Sequence, residues 1–223
     1  MTGTTTSATG ADEAALLARL AELDLANVSD ALQGFGILHP TIRAIVPGVR
    51  LVGPAFTVKC YPGSIITVHK ALLEAPPGAV LVVDGEGDER GALFGELMAQ
   101  QARQNGIAGI VVDGVIRDPQ ALRDDRFPTF ARGLTPRVGT NRRVGATQIP
   151  IQCGGVIVRS GDYILADDSG VLVVPTERLV AIVEATEAIA RKEETFRQAI
   201  AEGRQIADLT GLRALIGESN AIH

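Results

Sequence analysis

Two short apolar segments, each followed by a helix-forming segment, constrain the fold of this chain more than any other feature. Ala79–Val83 and Ile107–Val112 have the length and the continuous apolar character of strands buried on both faces. Helices of about Leu93–Gln104 and Pro119–Asp124 are predicted after them, and Pro119 suits the first turn of a helix. Two successive strand–helix units imply parallel strands joined by right-handed crossovers.

The pattern changes after Pro150, where short strands are separated by tight polar turns. Strands are predicted at Ile151–Arg159, Tyr163–Ala166 and Val171–Val174, and their spacing is typical of antiparallel hairpins. A long amphipathic helix over about residues 176–202 follows. Because parallel units and antiparallel strands occur together, we predict a layered α/β sandwich with mixed strands and with helices covering the sheets.

The first half of the chain and its turns add further elements. A helix over Asp12–Asp24 is indicated by leucines at helical spacing. The other predicted elements are a helix over Asp30–Gly34 with Ser29 as its N-cap, a strand over Arg50–Cys60 interrupted at Gly53-Pro54, a helix over Thr67–Ala75, a polar loop over Asp84–Arg90 and a short strand over Pro128–Ala131.

Length and composition exclude several classes of protein. At 223 residues we expect a single domain over residues 11–223, preceded by a disordered Thr- and Ser-rich tail at residues 1–10. The net charge of −5 without a basic stripe, and an aromatic content of 4%, argue against nucleic-acid binding. No apolar run approaches the ~20 residues of a membrane span, and the tail lacks the regions of a signal peptide. We therefore expect a cytoplasmic protein whose Cys60 and Cys153 are reduced.

The segments after the two buried strands hold the candidate site. Neighbouring parallel strands end at one edge of a sheet, where open α/β sheets bind ligands, so Gly95–Met98 should lie beside Asp113–Asp118. Free N–H groups at the start of a helix suit a carboxylate, Asp118 suits a hard divalent cation, and Arg117 can clamp a carboxylate. Each feature alone also has a structural explanation, namely close helix packing at Gly95, a helix-capping Asp118 and a surface arginine. The combination favours a ligand site.

On the long C-terminal helix, Glu193 lies on the apolar stripe, four residues after Ile189 and three before Phe196. An acidic side chain on an apolar face is costly unless it is paired or lies at an opening. The alternative is that the stripe ends earlier and that Glu193 is solvated.

Other motifs carry less weight. Gly85-Glu86-Gly87 with Gly91 is one residue longer than the dinucleotide fingerprint, and its acidic neighbours would repel a pyrophosphate. The three histidines and two cysteines form no catalytic triad order and no metal motif. These patterns favour a metal-assisted mechanism over a covalent one.

Several motifs form one recognisable set that runs from Val28-Ser29-Asp30-Ala31-Leu32 to the last helix. Its other members are Gly53–Val58, Pro77-Gly78, Val80–Asp84, Gly95–Met98, Val112–Asp118 and Asp167–Val171. With this set the chain resembles the RraA-like family, which includes class II 4-hydroxy-4-methyl-2-oxoglutarate/4-carboxy-4-hydroxy-2-oxoadipate aldolases and regulators that inhibit ribonuclease E. The resemblance also implies the swivelling, phosphohistidine-like β/β/α fold.

The family's aldolases carry an acidic residue, twenty intervening residues and then Arg-Asp, and Glu96 with Arg117-Asp118 keeps this spacing. Glu96 departs from the usual Asp by one methylene. The resemblance implies that Mg²⁺ or Mn²⁺ binds Asp118 directly, with waters held by Glu96 and by Glu193 of a neighbouring subunit. It also implies that Gly95–Met98 and Arg117 bind the 2-oxo acid, and that a metal-polarised water takes the proton of the leaving hydroxyl. Arg117, Asp118 and Glu96 are thus the expected catalytic residues.

The implied function is a class II aldolase that cleaves a 4-hydroxy-2-oxo di- or tricarboxylic acid to pyruvate and a keto acid. Oxaloacetate decarboxylation is the expected side activity, and a homotrimer or hexamer the expected assembly. The long C-terminal helix favours an aldolase, because the ribonuclease inhibitors tend to lack this extension. Two alternatives stay open: a non-catalytic regulator that binds a ribonuclease or helicase, and a lyase for another 2-oxo or hydroxy acid. No glycine-rich cofactor loop supports the demethylmenaquinone methyltransferase label of some relatives.

Overall fold

A computed structural model describes residues 10–219 of the chain. The predicted disordered tail lies outside these residues except for Gly10, which begins the first helix. The described helices are α1 (Gly10–Glu22), α2 (Leu25–Ala31), α3 (Ile66–Glu74), α4 (Glu96–Gln104), α5 (Pro119–Asp124), α6 (Leu179–Ala201), α7 (Ile206–Leu209) and α8 (Leu212–Ser219). The strands are β1 (Arg43–Ala44), β2 (Leu51–Lys59), β3 (Val80–Asp88), β4 (Gly109–Ile116), β5 (Thr129–Leu134), β6 (Ala146–Thr147), β7 (Ile151–Cys153), β8 (Val156–Val158), β9 (Tyr163–Asp167) and β10 (Gly170–Val174).

The main sheet has the strand order β1-β5-β4-β3-β2-β9-β10, and β6 pairs with β2. Strands β2 to β5 are mutually parallel neighbours, whereas β9 and β10 are antiparallel. The β7–β8 hairpin pairs separately and contacts β3. The predicted mixed α/β fold is therefore confirmed, and the helices α3, α4 and α5 connect successive parallel strands.

Two apolar clusters hold the layers together, and β9 belongs to both. Its Ile164 and Ala166 lie in the larger cluster, which surrounds the central strands. Tyr163 and Leu165 lie in the smaller cluster with α1, α2 and the first half of α6. This assignment follows the alternation of side chains along a strand. The antiparallel half thus joins the helices near the termini to the parallel half.

The predicted helix over Asp30–Gly34 is wrong in position, since α2 covers Leu25–Ala31. Its N-cap is Asp24, not Ser29, and the Asp24 carboxylate accepts hydrogen bonds from the N–H groups of Ala26 and Asn27 at 2.8 and 3.4 Å. Asp24 is the better cap because Leu25 and Val28 are then buried on one face of the helix.

Strand β2 runs through Gly53-Pro54 without the predicted interruption. Pro54 lies opposite Tyr163 of the antiparallel neighbour. A β-carbon at Gly53 would lie 2.5 Å from the carbonyl oxygen of Gly78, so a glycine lets the two backbones approach.

The predicted polar loop over Asp84–Arg90 is also partly wrong, because β3 continues to Asp88. The ammonium group of Lys59 lies 2.9 Å from Asp84 and 2.8 Å from Glu86, and it neutralises charges that would otherwise disfavour a strand. Gly87 has a φ of +67°, and the pairing register shifts between Asp84 and Asp88, so the extension contains a bulge.

The segment over Ile151–Arg159 is a hairpin instead of a single strand. Gly154 and Gly155 adopt φ angles of +54° and +86° and reverse the chain between β7 and β8. After β10, a 3₁₀ turn at Thr176–Arg178 leads into α6, in agreement with the predicted long helix, whereas α7 and α8 had no sequence signal. None of the described helices is both long and apolar enough to cross a membrane.

Candidate active site

The candidate residues meet at the carboxyl edge of the parallel strands, as predicted. Gly95 is the N-cap of α4 and has an extended backbone, so the helix begins at Glu96, three residues later than expected. The N–H of Arg117, the first residue after β4, donates to the carbonyl of Phe94 at 3.0 Å. This hydrogen bond fixes the start of α4 against the end of β4.

Gly95 touches the two charged residues that follow β4. A β-carbon at residue 95 would lie 2.7 Å from Oδ2 of Asp118 and 2.9 Å from Cγ of Arg117. Both distances are too short for real carbon atoms. Residue 95 must therefore be glycine for Arg117 and Asp118 to hold these positions.

Asp118 has a backbone conformation that is unusual for a residue with a side chain. Its φ and ψ are 57° and 44°, in the left-handed region that aspartate tolerates better than most residues. Its Oδ2 accepts a hydrogen bond from the N–H of Glu96 at 3.2 Å and lies 3.2 Å from Nε of Arg117. These contacts hold one carboxylate oxygen in place, and no hydrogen bond within the described residues engages Oδ1.

The first turn of α4 offers further donors. The N–H of Ala99 is bonded to the carbonyl of Gly95 at 3.0 Å, whereas those of Leu97 and Met98 have no acceptor within the described residues. Such free donors at a helix N-terminus favour a carboxylate or another small anion.

A pocket of about 390 Å³ opens beside this contact. It is lined by Arg117, Asp118 and Pro119 and, on its other side, by Leu134, Thr135 and Pro136. The last three residues were missed by the sequence reasoning. Leu134 ends β5, the next parallel strand, and Thr135 and Pro136 follow it, so the rule that placed Arg117 at the edge could have found them.

The oxygen atoms at this edge of the sheet suit a divalent cation that keeps most of its waters. No cluster of three or more acidic, histidine or cysteine side chains that could hold a metal occurs within residues 10–219. However, Mg²⁺ in proteins commonly keeps several waters and binds through only one or two carboxylates. The side chain of Asp118 is 37% exposed, and Glu96, whose Oε1 accepts from Gln100 at 3.2 Å, is half-buried beside it. One carboxylate with space for water fits this binding mode.

Glu193 lies away from this contact within one chain. Its Oε2 accepts a hydrogen bond from the buried Asn27 at 3.1 Å and pairs with Arg197 at 2.9 Å. The side chain is 40% exposed, so it is partly buried and paired instead of simply solvated. Its contribution to a neighbouring subunit's site stays a prediction.

The two thiols are poor nucleophiles. Burial raises the pKa of Cys60 to about 12, and burial raises the pKa of Cys153 well above its usual value. Only a thiolate attacks readily, so a covalent cysteine mechanism is disfavoured, as the sequence indicates.

Buried carboxylates behind the site have structural partners. Asp113 is 1% exposed, pairs with Nε of Arg132 and accepts the N–H of Gly154 at 2.6 Å. The hydrogen bond to Asp113 raises the pKa of Arg132. This pair joins the end of β4 to β5 and to the β7–β8 hairpin.

Comparisons with known proteins extend over most of the chain. Residues 25–173 match a family model described as RraA-like, Aldolase/RraA. A protein of Halalkalibacterium halodurans named "Putative 4-hydroxy-4-methyl-2-oxoglutarate aldolase" is 38% identical over 175 residues, which are 78% of this chain and 83% of that protein.

Solved structures share the fold as well. An uncharacterized protein from Pseudomonas syringae pv. tomato superposes with a TM-score of 0.82 at 30% identity, over 95% of this chain and 98% of that one. The RNA-processing inhibitor RraA from Thermus thermophilus superposes with a TM-score of 0.64 at 32% identity, over 69% of this chain and 93% of the inhibitor.

Proposed function

The chain belongs to the RraA-like family, and from this premise we propose that it is a divalent-metal-dependent class II aldolase. Its substrate is a 4-hydroxy-2-oxo di- or tricarboxylic acid, which it cleaves to pyruvate and a keto acid. Oxaloacetate decarboxylation is the side activity, because it needs the same enolate. The observation that supports this proposal is the contact of Gly95 and Glu96 with Asp118, because it joins the N-terminus of α4 to a carboxylate and an arginine that line one pocket.

The helix N-terminus and Arg117 bind the pyruvyl end of the substrate. The free N–H groups of Leu97 and Met98 donate hydrogen bonds to its carboxylate. Of the three guanidinium nitrogens of Arg117, only Nε has an ion-pair partner within the described residues. The two terminal nitrogens can therefore donate to the oxygens of the substrate. The guanidinium charge stabilises the enolate oxygen that develops when the carbon–carbon bond breaks.

Asp118 would bind Mg²⁺ or Mn²⁺ directly, and waters of the cation would be held by Glu96 of the same chain and by Glu193 of a neighbouring subunit. A cation bound there would supply Lewis acidity to the 2-oxo group. Asp118 is held for this role by the N–H of Glu96 and by Arg117, which engage the same oxygen. A site shared in this way requires an oligomer, and we propose a homotrimer or hexamer.

A non-catalytic regulator is the second candidate, and the similarity to the RNA-processing inhibitor favours it. Such a regulator would bind a ribonuclease or helicase, with or without a divalent cation. The inhibitor aligns with only 69% of this chain, so a large part of the chain is outside what the two proteins share.

Pyruvate release separates the two candidates. Oxaloacetate and a panel of 4-hydroxy-2-oxo acids are incubated with the purified protein, with Mg²⁺ or Mn²⁺ and then with excess EDTA. The aldolase proposal expects metal-dependent pyruvate from oxaloacetate and from at least one hydroxy acid. Absence of pyruvate from every compound would overturn it in favour of the regulator.

A further inference from the structure

A second pocket, of about 300 Å³, lies at the same edge of the sheet and is bordered by four arginines: Arg90, Arg137, Arg142 and Arg143. We call it the arginine pocket. Its walls come from three places, namely residues 61–64 after β2, residues 88–91 at the end of β3, and residues 137–143, which follow β5. The carboxyl ends of parallel strands are the usual place for a ligand in such a sheet.

The arginine pocket is strongly cationic. Its single acidic residue is Asp88, whose Oδ1 lies 2.7 Å from Nε of Arg90. Arg137 and Arg142 have no ion-pair partner within residues 10–219, and the guanidinium of Arg143 lies 3.8 Å from the centre of the Tyr61 ring. Four arginines and one aspartate leave a net charge of +3 on a chain whose total is −5. This local excess favours a small polyanion.

The backbone around the arginine pocket is fixed before any ligand binds. The N–H of Ala92 donates to the carbonyl of Arg137 at 2.8 Å, and the N–H of Gly139 donates to the carbonyl of Ala92 at 3.0 Å. A β-carbon at Gly91 would lie 3.0 Å from Cα of Gly139, so the two segments are in close contact. The guanidinium groups therefore project from a rigid wall, which lowers the entropic cost of binding.

The arginine pocket adjoins the pocket beside Asp118. Pro136 lines the pocket beside Asp118, and the next residue, Arg137, lines the arginine pocket. Consecutive Cα atoms are about 3.8 Å apart. The N–H of Thr135 donates to the carbonyl of Ile116 at 2.9 Å, which holds this shared segment against the end of β4. The two pockets therefore adjoin along the backbone of residues 136–137.

We propose that the arginine pocket binds the distal, carboxylate-bearing half of the substrate. It selects 4-hydroxy-2-oxo acids with one or two further carboxylates over those that end in an uncharged group. Arginine pairs with carboxylates through two parallel hydrogen bonds, which suits di- and tricarboxylic acids. This proposal rests on the proposed aldolase function, because it concerns the other half of the same substrate.

A kinetic comparison tests the selectivity. The double variant Arg137→Gln/Arg142→Gln removes two charges, and neither side chain has a hydrogen bond or ion pair within residues 10–219 that the change would break. Arg159→Gln, at an exposed arginine outside the arginine pocket, is the matched control. The substrates are 4-carboxy-4-hydroxy-2-oxoadipate and the uncharged-ended 4-hydroxy-2-oxopentanoate. We expect kcat/KM for the tricarboxylate to fall about 10-fold or more, mostly through KM, with little change for the pentanoate or in the control. Equal losses on both substrates, or no loss, would overturn the proposal.

Direct binding separates this proposal from the aldolase function. The probe is tricarballylate, which mimics the distal half and is titrated calorimetrically without metal. We expect the double variant to weaken its binding about 10-fold, Arg117→Ala to leave it unchanged, and Asp88→Asn, which raises the net charge of the pocket, to strengthen it. Absence of binding by the natural protein, or no difference in the double variant, would contradict the proposal.

Inhibition kinetics identify which half-site the probe occupies. Competitive inhibition of aldol cleavage by tricarballylate supports a shared substrate site, whereas non-competitive inhibition or activation would make the arginine pocket a separate effector site and overturn the proposal. If tricarballylate binds as expected but no acid yields pyruvate, the aldolase proposal is wrong. The assignment of the arginine pocket to the distal half of the substrate is then also wrong, whereas its binding of a polyanion is confirmed.

Discussion

Gly95 and Asp118 are in contact across the carboxyl edge of the sheet, and a β-carbon at residue 95 would lie 2.7 Å from the Asp118 carboxylate oxygen. The start of α4 and the end of β4 can meet there only because residue 95 has no side chain. The carboxylate, the arginine and the free N–H groups of the helix are brought together by this one contact.

Gly95→Ala should therefore impair activity more than folding. The new methyl group would displace Asp118 and Arg117, and we expect oxaloacetate decarboxylation to fall about 100-fold with a stability loss of about 1–3 kcal/mol. Gly133→Ala is the control, because a β-carbon there meets only Val115 at an ordinary 3.7 Å. Initial rates and urea unfolding measure both effects. Full activity in Gly95→Ala would show that the contact is not needed for the site.

Arg117→Ala should lower kcat for oxaloacetate decarboxylation by roughly 100- to 1000-fold, as expected for the loss of one donor to a developing oxyanion. The thermal midpoint should change little, because the Arg117 side chain is 37% exposed and, within residues 10–219, forms an ion pair with Asp118 alone. Arg159→Ala serves as the surface control. An equal loss in both arginine variants would argue against a specific role for Arg117.

Mixed oligomers should show whether Glu193 acts in the site of a neighbour. Asp118→Asn and Glu193→Gln are each expected to be nearly inactive alone. When the two chains are co-expressed and pair at random, about a quarter of the shared sites would contain both natural residues and regain activity. The rate of pyruvate release from the co-purified mixture is compared with that of each variant. A mixture no more active than the two variants alone would show that Glu193 does not act in the site of a neighbouring subunit.

Cys60 should make stability fall at high pH. Burial raises the pKa of the folded-state thiol from 9.0 to about 12, so the native protein keeps a proton that the unfolded chain releases between these values. The stabilisation from this group is complete below pH 9 and is lost as the pH rises towards 12. Compared with the natural chain, Cys60→Ala should lose roughly 2 kcal/mol less stability between pH 8 and pH 10.5 in denaturant titrations. Parallel pH profiles would refute this assignment.

The central strands could be predicted from sequence because burial on both faces requires a continuous apolar segment. Val80–Val83 and Ile110–Val112 are fully buried, and their neighbours are parallel, as the alternation with helices indicates. The extension of β3 to Asp88 could not be predicted in this way. It depends on Lys59, which is far away in sequence and neutralises Asp84 and Glu86.

Part of the candidate site could also be predicted from local sequence. Arg117 and Asp118 directly follow the apolar segment of β4, and Glu96 lies at the start of the helix that follows β3. Residues 137–143 gave no such signal. They meet Tyr61 and Gly63 only because the chain after β5 crosses the ends of β4 and β3 before β6 pairs with β2. Likewise, the hydrogen bond from Asn27 to Glu193 joins residues 166 positions apart, and no periodicity of either helix could indicate it.

The crossing segment has a consequence for engineering. Residues 137–143 form a contiguous stretch that is anchored by backbone hydrogen bonds at Arg137, Gly139 and Thr140, and none of them takes part in the contact between Gly95 and Asp118. All of these residues except the half-buried Gly139 are exposed, so most substitutions on this stretch would not disturb an apolar core. Exchanging this stretch between relatives offers a way to change which acid is accepted while the bond-breaking chemistry stays the same.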